Sequence, residues 1–142
     1  MMLFVKVICQ FPGEWVGQLV VLSATCAAMS VVCLGFSAQL TSPDRASLLS
    51  IYLVGFQLPL SGVVLALPQV MVWVVRPLIA TYWGWWGYLV AMKDSHFYDA
   101  AVYLDKNFWR EVPAWLPLLV LMGHFGVGCW LVFSGCEKKR WP

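Results

Sequence analysis

Few side chains in this 142-residue chain could do chemistry, and none is spaced as a known site requires. There are five cysteines, Cys9, Cys26, Cys33, Cys129 and Cys136, and two histidines, His96 and His124. They contain no CxxC pair and no Cys/His spacing of a zinc site, so neither a dithiol couple nor a metal is expected. Cys26 and Cys33 stand seven residues apart, as do Cys129 and Cys136, which places each pair on one helix face. Thiols in apolar surroundings are inert; only Cys9 and Cys136, near the expected membrane edge, are candidates for acylation. A haem on His124 would need a second axial ligand, and the only other histidine lies in a charged segment. Asp94 and Asp99 share that segment, with nothing tying them to a pocket. Gly-rich phosphate loops, G-x-S-x-G elbows and H-E-x-x-H motifs are all missing. The expectation is a chain that is not an enzyme and carries no cofactor.

Composition says what the elements around these residues must be. Hydrophobic residues make up 61% of the chain and charged ones 11%. A soluble domain is about half apolar and roughly a quarter charged. Nine basic and seven acidic side chains cannot cover a globule of this size, and a net charge of +2 gives no footprint for nucleic acid. An aromatic share of 15% excludes disorder as well. The fold class expected is an all-α integral membrane protein, placed in the cell (inner) membrane.

The charge-free runs locate the spans, since a hydrocarbon core of roughly 30 Å takes about 20 apolar residues. One run predicts a helix over 16–40, between the turn chemistry of Pro12-Gly13 and that of Ser42-Pro43-Asp44. It is far longer than a signal-peptide core, so the N-terminus is expected to be retained. Residues 47–92 hold a single charge, Arg76. Two full helices could cross there, giving four spans. The preferred reading is one bent span over 48–75, containing Pro59 and Pro68, followed by an interfacial segment over 78–92. A turn as short as Leu67-Pro68-Gln69 is unusual between membrane helices, and the four-span reading would sink Arg76 into the bilayer. Arg76, Tyr82, Trp83, Trp85, Trp86 and Tyr88 then form an aromatic and cationic belt of interfacial anchors. A third span is predicted over 114–136.

Between the belt and that last span, residues 93–112 carry seven of the charges. Phe97, Ala101, Leu104 and Phe108 recur there at helical spacing, predicting an amphipathic helix with a docking face. In the first span, Ser23, Cys26, Ser30, Cys33 and Ser37 form a stripe of small side chains, the expected helix-packing face. His124 and Gly128 are the packing candidates in the last span, with His124 bonding across a helix contact. The adjacent Lys138, Lys139 and Arg140 favour a cytoplasmic C-terminus, although Lys and Arg are nearly balanced across either topology.

Together these features predict a non-catalytic membrane subunit of a larger assembly, contributing helix packing and a docking helix. Its partners would be the lipid bilayer and other membrane subunits or further copies of itself. The alternative is a homo-oligomeric channel or pore-modulating protein of the immunity or exclusion type, with the bent Pro59–Pro68 helix lining the pore.

Overall fold

The computed structural model of the chain describes residues 13–61, 74–96, 98–100 and 113–140. Every regular element among them is helical: α1 (Trp15–Gln39), α2 (Pro43–Leu60), a single 3-10 turn (Arg76–Leu78), α3 (Ala80–Val90) and α4 (Leu116–Arg140). Two of them, Trp15–Gln39 and Leu116–Lys138 within α4, are long and apolar enough to cross a membrane. Only 17% of the apolar window of each is buried within the molecule, so both helices leave most of their apolar surface exposed.

Local chemistry sets the ends. Gly13 adopts a φ of 103°, open to glycine but strained for other residues, and its place ahead of α1 lets the Glu14 N–H donate to the Ala91 carbonyl at 3.2 Å. At the other end Leu40 is extended, and Ser42 and Pro43 start α2 after a three-residue reversal. Proline at the first helical position loses no hydrogen bond, and Asp44 in that turn suits the positive end of the helix dipole. Pro59 lies inside α2, and the helix closes one residue after Leu60, at Ser61, whose N–H reaches the Gln57 carbonyl at 3.0 Å. Of the bent span expected over 48–75, α2 accounts for the part as far as Leu60. A proline in the last turn withholds one backbone donor and crowds the preceding carbonyl, which weakens the helix there. Residues 62–73 lie outside the described residues, as do Pro68 and the turn at 67–69.

The contacts fix the directions. Along the α1–α4 seam the paired residue numbers rise together: a Cβ on Gly128 would meet Val31 and Val32, and one on Gly135 would meet Ala38. α1 and α4 are therefore parallel along their length. The α1–α3 pairing runs the other way, with Gly84 against Thr25, Gly87 against Val21, and Ala91 beside Glu14. α2 is also antiparallel to α1, with the Ser50 and Ser37 hydroxyls 3.3 Å apart. So α2 descends the C-terminal half of α1, and α3 continues the descent along the N-terminal half.

Burial follows this order. Ala28, Ala80 and Leu121, one residue from each of α1, α3 and α4, make a shared core flanked by Ala24, Met29 and Trp83. Small side chains at this meeting point let three backbones approach closely, which is how helices gain contact where the surroundings are as apolar as the side chains.

Candidate functional site

The tightest part of the molecule is the seam between α1 and the α3–α4 pair, and it is a different face of α1 from the expected one. Gln18, Val21, Ala28 and Gly35 are the buried residues of α1, spaced by three, seven and seven. The expected stripe lies two residues further on, about 200° round the helix. Ser23, Cys26 and Ser30 are exposed, and Cys33 and Ser37 half-buried. Ser23 spends its hydroxyl on its own helix, at the Leu19 and Val20 carbonyls, 2.8 and 3.0 Å away. Ser37 reaches another helix, through its contact with Ser50 of α2. Both faces repeat at helical spacing, and the glycines of α4 decide between them. With no side chains at Gly128 and Gly135, the α4 backbone lies against Val31, Val32 and Ala38.

Gly128 itself is buried in that seam. His124 is half-buried, and its Nδ1 lies 2.9 Å from the Val120 carbonyl of its own helix, so the expected bond across a contact is made elsewhere. Gln39 makes it. Its Nε2 donates to the Leu131 carbonyl at 3.1 Å and to Ser134 Oγ at 2.6 Å, joining the ends of α1 and α4.

The aromatic run packs against the other helices. α3 is the most enclosed helix among those described, with Ala80, Tyr82, Gly84, Trp86, Gly87 and Leu89 buried. Trp86 retains 3% of its surface. Trp83 and Tyr88 are half-buried, and Trp85 is the exposed member of the group. The reason lies at Gly84 and Gly87, which open one side of the helix: a Cβ at Gly87 would sit 2.9 Å from Val21 and 3.3 Å from Pro117. Bulky rings on either side of those glycines then close over α1 and α4. Tyr82, Trp83 and Trp86 meet edge to face, and Trp85 stacks on Tyr88 with ring centroids 6.4 Å apart.

Arg76 and its neighbours form a cluster of polar contacts. The guanidinium carbon lies 4.7 Å from the centre of the Tyr82 ring, a cation–π contact. The Arg76 carbonyl accepts a bond from Trp83 Nε1 at 2.9 Å and one from the Ile79 N–H at 3.3 Å. Beside it, Gln57 Oε1 of α2 accepts from both the Thr81 N–H (3.1 Å) and the Thr81 hydroxyl (3.0 Å). The first amides of a helix have no partner within it, so α2 supplies the cap that Ile79 cannot.

Sequence reasoning missed the amides. Gln18 is completely buried, and Gln39 and Gln57 each join two helices. The signal was available: an amide inside a charge-free run has to be satisfied by the protein. Of the docking face, Phe97, Ala101, Leu104 and Phe108 lie outside the described residues, as does most of 93–112. Cys26, Cys33, Cys129 and Cys136 are free thiols. Among the described residues, no group of three His, Cys, Asp or Glu side chains is placed to hold a metal ion. No protein-family model matches this chain, and no curated protein or solved structure matches it either, so the geometry alone carries the functional reading.

Proposed function

We propose that this chain is a non-catalytic integral membrane subunit whose role is helix packing within a larger membrane assembly. The observation that carries the reading is the contrast between the two sides of its long helices. The α1–α4 seam is locked by glycine approaches, whereas Ile51 and Phe56 on α2, and Met122, Trp130 and Phe133 on the other side of α4, face the surroundings. Such faces are covered in a membrane by lipid or by other helices. A bundle this small leaves most of each of its two long helices open to both.

The topology belonging to this reading has three crossings. Two parallel crossings require an odd number of crossings between them, and α1 and α4 are parallel. α2 followed by α3 provides the return in two pieces, a variation on the single bent span expected over 48–75. The cell membrane is the proposed location.

The test is purification in mild detergent, reading total mass and companions. Different proteins in fixed ratio with the chain are expected. A homo-oligomer that conducts ions in planar bilayers would overturn the subunit reading and leave the channel. That second reading draws support from one feature, the proline inside α2 next to its end at Leu60, because proline-broken helices line solute pathways in membrane proteins.

A further inference from the structure

We infer that α2 is a hinged arm, latched to α3 at its far end by Gln57, and that the latch opens when another acceptor replaces the Gln57 carbonyl. α3 and α2 are held in different ways. α3 is clamped, since its Gly84 and Gly87 lie against Thr25, Val21 and Pro117 on two neighbouring helices. α2 pivots from the short reversal at Leu40–Ser42 and presents Leu48, Ile51, Tyr52, Val54 and Phe56 outward. Near its middle Ser50 meets Ser37, and near its far end Gln57 meets Thr81. A pivot of about 15° would carry the end of a helix of roughly 27 Å through about 7 Å.

The chemistry of the joint makes it a switch. Thr81 directs two donors, its N–H and its hydroxyl, at one oxygen. Away from water these donors cannot be left without acceptors. The arm therefore stays closed until a water molecule or a polar solute accepts them in place of Gln57. The inference rests on α2 lying in the bilayer, as in the reading above. Reporters on the two termini test that topology, while the measurement below tests the joint, so the two can fail separately.

The experiment uses the full chain in bilayers, in a background with all five cysteines replaced. Nitroxides are placed at Gly55→Cys, where nothing lies within 4 Å of the new Cβ, and at the exposed Trp85→Cys. A reference pair, Leu34→Cys and Gly126→Cys, reads the α1–α4 seam. With Gln57 present, the 55–85 distance is expected to be a single narrow population. Gln57→Leu should add a population longer by about 5 Å, the part of that pivot felt at residue 55, and Gln57→Glu, which keeps an acceptor, should restore the narrow one. Thr81→Val, which removes only the hydroxyl, should give a smaller open fraction and serves if Gln57→Leu disturbs the reference distance. An unchanged 55–85 distribution in Gln57→Leu or Thr81→Val, with the reference intact, overturns the latch. The arm would then be held by apolar packing and by the buried Ser61.

Discussion

Three glycines of α4 differ by what a methyl group would meet. At Gly128 the new Cβ would lie 2.8 Å from the Val31 carbonyl carbon and the Val32 nitrogen, and backbone cannot step aside. Gly128→Ala is expected to destabilise the fold by about 1–3 kcal/mol through overpacking. At Gly123 and Gly126 nothing lies within 4 Å. Alanine there should be neutral, or stabilising by up to about 1 kcal/mol from helix propensity. Denaturation midpoints in mixed micelles check the pair: equal shifts for Gly126→Ala and Gly128→Ala would dismiss the seam. Gln39→Leu should cost roughly 0.6–1.7 kcal/mol, the range for polar contacts between membrane helices, read in the same titration. His124→Ala should cost less than Gln39→Leu, because the imidazole bonds its own helix. Sequence reasoning passed over Gln39 because one amide in a long apolar run carries no periodicity.

At the level of elements, α3 is the instructive case. Its run of Tyr and Trp resembles a headgroup belt in composition, and amphipathic rings do favour that layer. The two glycines one turn apart change the outcome, since they give the helix a flat side that fits against α1. Val21→Cys with Gly87→Cys, in a cysteine-free background, is expected to cross-link on mild oxidation. The Cβ of residue 87 would stand 2.9 Å from a Val21 methyl, within the reach that a disulfide demands. An interfacial belt lying apart from α1 would give no cross-link. The same logic explains the misplaced stripe on α1. Small residues at helical spacing mark a face that can be approached, but the partner chooses which face is used. Here Gly128 and Gly135 approach Val31, Val32 and Ala38 and leave Ser23, Cys26 and Ser30 outside.

For the whole molecule the decisive relation is the parallel alignment of α1 and α4. It predicts that reporters fused before α1 and after α4 fall on opposite faces of the membrane; both on one face would eliminate three crossings. The same alignment puts the Asp44–Arg45 turn and the Glu137–Arg140 tail on one side, so charge reversals in the two should act together on orientation. The amino-acid sequence alone determined the all-helical character and the two long apolar helices. Both follow from composition and from charge-free length, which any arrangement of the chain must accommodate. It also marked the proline that weakens the end of α2 and the turn chemistry at Gly13 and Ser42-Pro43, because those constraints act within a few residues. Direction, seam and depth were decided only by tertiary structure. Whether α1 meets α4 through serines or through Ala28 and Gly35, and whether a tryptophan run faces headgroups or a core, depends on the shape of the opposite surface. That surface is built from residues some hundred positions away, beyond the reach of any local pattern.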